Sequence, residues 1–136
     1  MKELISDTTS YEIGVDTDLN CVYYKWKGFW RNEKMASEFL QSIEELILKL
    51  RPKFSLIVDN RDLITSPNIV LEKLIMPALL MLHNAGLTRS AIVMPEDEIA
   101  ILNTKRVSEQ SSQINSAVQR SFFKNIEDAE NWIKSF

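Results

Sequence analysis

The chain has 136 residues, of which 45% are hydrophobic and 26% charged, and its formal net charge is −3. This length is enough for one sizeable core, so we expect a single domain over residues 1–136. The acidic balance argues against nucleic acid and anionic membranes as partners, and the single cysteine, Cys21, excludes an internal disulfide. Residues 1–7 lack a signal-peptide pattern, so we expect a cytoplasmic protein with no membrane insertion.

Two alternating runs near the start of the chain predict an antiparallel hairpin. Apolar and polar residues alternate over 10–16 and again over 21–27, with turn residues between the two runs. In the second run, Val22, Tyr24 and Trp26 fall on the predicted inward face. The chain therefore opens with two half-buried strands.

A helix and a buried strand follow the hairpin. Apolar residues recur at steps of three and four from Ala36 to Leu50, which predicts an amphipathic helix ended by Pro52. Residues 54–58 are nearly all apolar and suit a central strand, closed by Asp59 and the asparagine after it. Strand, helix and strand together imply a right-handed crossover.

The second half of the chain repeats this alternation. Ser66 and Pro67 are typical of a helix start, and Gly86 is typical of the end of that helix. Residues 91–94 predict another buried strand, and 96–117 predict a third helix. The apolar positions of that helix are Ile99, Leu102 and Val107. A short edge strand at 119–123 and a last helix starting at Asn125 complete the α/β order ββαβαβα(β)α, with parallel central strands and about four helices.

This order resembles the STAS-like domains, which include bacterial anti-sigma-factor antagonists and are related in fold to the CRAL-TRIO lipid-binding domains. The local matches are residues 26–29, 56–60, 77–80 leading to 85–87, 91–95, and 122–123 followed by Ala129 and 132–133. They are packing motifs, so the resemblance implies a single-domain STAS-like fold more strongly than it implies a function.

The regulatory branch of that family has a phosphorylatable Ser or Thr at the start of the helix after the central strand, within an Asp-Ser-Ser-Gly-like sequence. That sequence is absent here, because Pro67-Asn68-Ile69-Val70 falls on the motif. Ser66 could accept a phosphate at a helix N-terminus, but a helix cap explains the residue without modification. We therefore do not assign Ser66 as a phosphosite.

Two groups of residues are candidates for contact with a ligand or partner. Asp59 and Arg61 follow the central strand, where ligands of open α/β sheets bind, although the two side chains could simply pair with each other. Phe29 and Trp30 follow Gly28 at the end of an aromatic run, and could line a pocket or an interface.

The predicted second helix is apolar on nearly every side, so a sheet face alone cannot cover it. Three explanations stay open: cover by the third helix, a dimer contact, or an apolar ligand. The candidate dimer residues are Leu71, Ile75 and Leu80.

Residues suited to catalysis are scarce. The single histidine, His83, ends a helix, where a favourable contact with the helix dipole explains it. One His and one Cys do not form a metal site, and the three dispersed glycines do not form a phosphate loop, so we expect neither a metal nor a cofactor. The sequence therefore favours a non-catalytic regulatory or protein-interaction domain that self-associates; the alternative is a carrier or sensor of a small apolar or lipid-like ligand.

Overall fold

The computed structural model describes residues 2–8, 11–28, 33–63, 76–114 and 117–136. Six strands form one sheet: β1 Lys2–Asp7, β2 Tyr11–Asp16, β3 Cys21–Gly28, β4 Phe54–Leu63, β5 Leu87–Val93 and β6 Gln119–Phe123. The helices in these ranges are α1 Glu33–Ile47, α2 Met76–Ala85, α3 Glu98–Ile114 and α4 Ile126–Lys134. The spatial order of the strands is the order of the chain.

Strands β1, β2 and β3 are antiparallel, and β3, β4, β5 and β6 are parallel. The predicted hairpin and its mixed sheet are confirmed. The sequence did not predict β1, which pairs with β2 through a register irregularity between Leu4 and Ser6. The prediction that Asp59 closes β4 is wrong, since the strand continues along β3 to Leu63.

Helices α1, α2 and α3 share one face of the sheet. Each right-handed crossover moves one strand further in the same direction, so its helix lies on the same side as the others. Their core contains Phe39, Ile43, Leu79 and Ala100 packed against apolar residues of the strands. Ile99 and Leu102, two apolar positions of the predicted third helix, lie instead on the exposed side of α3.

Helix α4 covers part of the opposite face, where Ala129 and Ile133 pack on Ile57, Ala91 and Val93. Its N-cap is Asn125, as predicted, and the side-chain Oδ1 accepts a hydrogen bond of 2.8 Å from the backbone N–H of Asp128.

Helix α2 ends at Ala85, and Gly86 follows with φ of +115°. A Cβ at Gly86 would lie 3.2 Å from the backbone nitrogen of Lys53, so both the backbone conformation and the available space favour glycine. The predicted end of the second helix is thus confirmed. The predicted start at Ser66 lies outside the described residues.

Candidate functional site

A cleft of about 360 Å³ lies between α4 and the sheet, on the face opposite α1, α2 and α3. Strands β2, β3 and β4 form its floor, and α4 forms one wall. Its lining includes Tyr23 and six charged residues: Glu12, Asp16, Lys25, Asp59, Arg61 and Glu130. Ile57 and Ile126 add apolar surface. The cleft therefore combines charged and apolar groups in its lining.

Asp59 and Arg61, two of the predicted contact residues, form an ion pair at one end of the cleft. Nη2 of Arg61 donates to Oδ2 of Asp59 at 2.8 Å, and Nε donates to Oδ1 at 3.0 Å. Burial by itself would raise the pKa of the Asp59 carboxyl, but the hydrogen bonds and charge of Arg61 outweigh burial and lower it. Asp59 is thus a buried carboxylate that stays ionised.

A β-bulge in β4 brings further charge to this end. Lys25 is opposite Asp59 and Lys27 is opposite Asp62, so β4 has one more residue than β3 over this stretch. The extra residue places Asp62 on the same face as Arg61, and Nζ of Lys25 lies 3.0 Å from Oδ2 of Asp62. Both cations that line the cleft are therefore paired with carboxylates.

The other end of the cleft is acidic. The Tyr23 hydroxyl donates to Oε2 of Glu130 at 3.4 Å. Asp16 accepts backbone hydrogen bonds from Asp18 and Leu19 through Oδ1, which orients its carboxylate in the turn after β2. The strongest cause that raises the pKa of Tyr23 is burial, and the negative charges of Glu130 and Asp16 add to it. Both carboxylates thus act electrostatically on this hydroxyl.

Cys21 lies beside this acidic end and is a buried free thiol. Burial is the main cause that raises its pKa, followed by the charges of Asp16 and Glu130. The thiol and the Tyr23 phenol are therefore held in their protonated forms, whereas Asp59 is held ionised. A nucleophilic thiol or phenol needs a lowered pKa, so the environment of Cys21 and Tyr23 is the opposite of what a nucleophile needs.

On the other face of the sheet, Asn60 points away from the cleft. Its Nδ2 donates to Thr104 Oγ1 at 3.2 Å, and that hydroxyl donates to the carbonyl of Ala100 at 2.8 Å.

Burial and the nearby charge of Arg120 lower the pKa of His83. His83 lies in the last turn of α2, as the sequence-based dipole explanation requires, but the lowered pKa favours the neutral ring and so weakens that contact.

Several predicted site residues lie outside the described ranges: Phe29, Trp30, Ser66, Leu71 and Ile75. Of the aromatic run, Tyr24 and Trp26 are buried beside Val22 in the helix-covered core, as predicted. The sequence interpretation missed Tyr23 and Glu130 as cleft residues. Strand alternation placed Tyr23 on the opposite face from Tyr24, but nothing in the sequence placed α4 above it.

In the described parts of α2 and α3, three large apolar side chains are exposed. Leu80 on α2 is 47% exposed, and Ile99 and Leu102 on α3 are 62% and 68% exposed. Helices α2 and α3 contact each other. We refer to Leu80, Ile99 and Leu102 as the α2–α3 surface.

Within the described ranges, no group of three or more His, Cys, Asp or Glu side chains is placed to hold a metal ion. None of the helices in those ranges is both long enough and apolar enough to cross a membrane.

The sheet order and the helices on both faces define a STAS-like fold, and two solved structures have the same fold. An uncharacterised protein of the DUF3478 family from Shewanella loihica PV-4, described as having a SpoIIAA-like fold, matches with a TM-score of 0.66. The two chains are 16% identical, and the match covers 94% of this chain and 97% of that one. The predicted STAS-like fold is confirmed.

Apo-SiaC from Pseudomonas aeruginosa also matches, with a TM-score of 0.58 and 13% identity over 90% of this chain and 98% of the SiaC chain. No protein-family model and no curated protein matches the sequence. At these identities the comparisons establish the fold, and function has to be argued from the chain's own surface.

Proposed function

We propose that the chain is a non-catalytic regulatory domain that acts by binding a protein partner, and that it forms a homodimer through the α2–α3 surface. The observation that carries this proposal is the exposure of Leu80, Ile99 and Leu102 on two helices that contact each other. Burial of such side chains against a second surface removes apolar area from water and so lowers the free energy.

The composition of α2 supports the same proposal. Ala78, Leu79 and Leu82 are buried against the core, so Leu80 lies on a different side of the helix. A helix that is apolar on more than the core-facing side is typical of one with a second contact. Leu71 and Ile75, predicted from the sequence as dimer residues, remain part of this proposal and lie outside the described residues.

The chemistry of the cleft supports a binding role over an enzymatic one. A paired, ionised Asp59 and the raised pKa values of Cys21 and Tyr23 favour fixed charge states over proton exchange. We place this activity in the cytoplasm, where the single thiol stays reduced. The STAS-like group, which this chain resembles, generally works by protein contact.

Sedimentation velocity at increasing protein concentration tests the homodimer. We expect the unmodified chain to dimerise and Leu80→Glu and Leu102→Glu to be folded monomers, since a buried carboxylate without a partner opposes association. Leu48→Glu is the matched control, because Leu48 is 87% exposed and lies after α1, outside the α2–α3 surface. A chain that stays monomeric, or dimers that persist in both variants, would contradict the proposal.

The alternative from the sequence, a carrier of an apolar ligand, stays a prediction. Phe29 and Trp30, its proposed lining, lie outside the described residues, and the cleft on the other face includes six charged side chains in its lining. Native mass spectrometry of the purified chain separates the two functions. An apolar molecule that co-purifies with a monomer supports the carrier, whereas a ligand-free dimer supports the interaction domain.

A further inference from the structure

We propose that the outer edge of β6 binds an extended, acidic segment of a partner protein, which pairs with β6 as an added strand of the sheet. The inference rests on the partner-binding function proposed above, and it adds the surface and the chemistry of the partner. This edge belongs to an outermost strand of the sheet, whereas the α2–α3 surface belongs to two helices. Strand pairing and the homodimer can therefore fail independently.

The two outermost strands, β1 and β6, differ in how readily they can accept another strand. The register of β1 shifts between Leu4 and Ser6, and its Asp7 pairs with Lys27 of the next strand but one. Bulges and charges of this kind protect an edge against pairing. In contrast, β6 pairs with β5 without a register shift and contains neither proline nor glycine. Of the two edges in the described sheet, β6 is therefore the regular one.

The backbone of β6 presents hydrogen-bonding groups to its outer edge. The N–H of Met94 donates to the carbonyl of Phe123 at 2.8 Å, so the backbone of Phe123 faces β5. Backbone groups of successive residues in a strand point to opposite edges. The N–H and carbonyl of Phe122 therefore point to the outer edge, where the backbone of an added strand can bind them.

The Phe122 side chain gives an added strand an apolar contact. Phe123 packs beside α4, so Phe122 lies on the other face of the sheet, where its side chain is 45% exposed. Val118, four residues earlier on the same face, is buried in the helix-covered core. The row that starts in the core thus ends in an exposed ring, against which an apolar residue of a paired strand can pack.

The charge along β6 sets the sign of the partner segment. Residues 118–124 include Arg120 and Lys124 and no acidic residue, although the net charge of the chain is −3. Nη1 of Arg120 donates to the carbonyl of Val118 at 3.0 Å, which keeps the guanidinium beside the strand. Opposite charges on paired strands stabilise the pairing, and like charges oppose it. The edge therefore favours a segment with carboxylates on both sides of an apolar residue.

A peptide titration of the isotope-labelled full chain, followed by NMR, tests this edge. The probe is the peptide Thr-Glu-Thr-Val-Thr-Glu-Thr, acetylated and amidated at its ends. Its two Glu and its central Val share one face at the spacing of Arg120, Phe122 and Lys124, in either strand direction. One counterpart has Lys in place of both Glu, and the other is methylated on its three central backbone nitrogens. We expect the probe to bind and each counterpart to bind at least about tenfold more weakly.

Hydrogen exchange of single amides shows where the probe binds. The amide of Phe122 faces the outer edge and that of Phe123 faces β5, so bound probe should slow exchange of the Phe122 amide about tenfold. Exchange of the Phe123 amide should stay within about twofold. A probe that binds without protecting the Phe122 amide would place the contact elsewhere and overturn the proposal.

Phe122→Pro removes the outward N–H and should weaken binding of the probe at least about tenfold, whereas an edge strand tolerates proline where the N–H faces water. Phe122→Ala is the matched control, because it keeps the N–H and loses only the ring, and it should weaken binding about threefold. Urea denaturation reports whether both variants are folded. If Phe122→Pro does not fold, the methylated counterpart tests the same hydrogen bonds on the unmodified chain.

The proposal is refuted if the probe does not bind, if either counterpart binds equally well, or if folded Phe122→Pro and Phe122→Ala lose affinity equally. Sedimentation of Phe122→Pro should match that of the unmodified chain. Leu80→Glu, on the α2–α3 surface, should bind the probe as the unmodified chain does. These two measurements separate a failure of strand pairing from a failure of the homodimer.

Discussion

On one face of the sheet, three helices cover an apolar core that includes the largest fully buried side chains, among them Tyr11, Phe39 and Phe54. On the other face, α4 packs on β4, β5 and β6, and a charged cleft opens beside it. Strand β3 contributes to both, with Tyr24 in the core and Tyr23 and Lys25 in the cleft. One strand thus contributes to the buried core on one side and to the charged cleft on the other.

The largest expected effect is on the helix-covered face. Phe39 is fully buried, and its ring lies 4.8 Å from that of Trp26 and 5.2 Å from that of Tyr11. Phe39→Ala should lower the free energy of unfolding by about 3–5 kcal/mol, measured by urea denaturation, because it leaves a cavity. Phe122→Ala is the control, since Phe122 is 45% exposed, and should cost about 1 kcal/mol. Equal losses would contradict the contrast between a dense core and a lightly packed edge.

The next effect is on the cleft. Asp59→Asn removes the charge that Arg61 pairs with and should lower the free energy of unfolding by about 2 kcal/mol at neutral pH. The pKa of Asp59 is lowered from 3.8, so this contribution is present above that value and is lost as the pH falls through the lower pKa of the folded state. The difference between Asp59→Asn and the unmodified chain should therefore shrink in strong acid.

Asp62→Asn is the control for that variant. Its carboxylate pairs with Lys25 at 3.0 Å, but the Asp62 side chain is 60% exposed. An exposed pair contributes little, so we expect a loss below about 1 kcal/mol. If the two variants were equally destabilised, burial would not be what makes the Asp59 pair strong.

A smaller effect should follow from the cap of α4. Asn125→Ala removes the acceptor for the backbone N–H of Asp128 and should lower the free energy of unfolding by about 1 kcal/mol. Asn131→Ala, an exposed position within the same helix, should be neutral or slightly stabilising. Hydrogen exchange would localise the loss to α4, and a loss spread over α1 would contradict the separation of the two faces.

The smallest effect is a pH dependence on the helix-covered face. The pKa of His83 is lowered from 6.5, chiefly by burial, so the unfolded chain takes up a proton at a higher pH than the folded chain. The free energy of unfolding should therefore fall as the pH drops below about 6.5 and level off below the pKa of the folded state. His83→Gln should lack this slope in denaturation between about pH 7.5 and pH 5.5. An unchanged slope would show that another group causes it.

Features that depend on neighbours in the sequence could be predicted. The alternation around Tyr24, the cap at Asn125 and the left-handed Gly86 are local signals, and each is confirmed. Strand β1 was missed because residues 2–7 include only two apolar residues and lack a clear alternation. Its extended conformation comes from pairing with β2, which no local pattern encodes.

The candidate site was predicted only in part for the same reason. Asp59 and Arg61 are two residues apart, and they follow an apolar segment at the end of a strand, where ligands of open α/β sheets bind. That position was enough to predict them as contact residues. Tyr23 and Glu130 are 107 residues apart and meet only because α4 packs back onto the sheet. The bulge that turns Asp62 towards Lys25 is likewise a property of two paired strands, and neither strand reveals it alone.

The strictly sequential order of the six strands has a consequence for how the molecule assembles. Each strand after β1 pairs with the strand before it, so none of these strands has to be inserted between two that are already joined. The sheet can therefore grow in the direction of synthesis, one crossover at a time, with short loop closures at each step. In that order the charged cleft is completed only after the sheet, because α4, which forms one of its walls, follows all six strands.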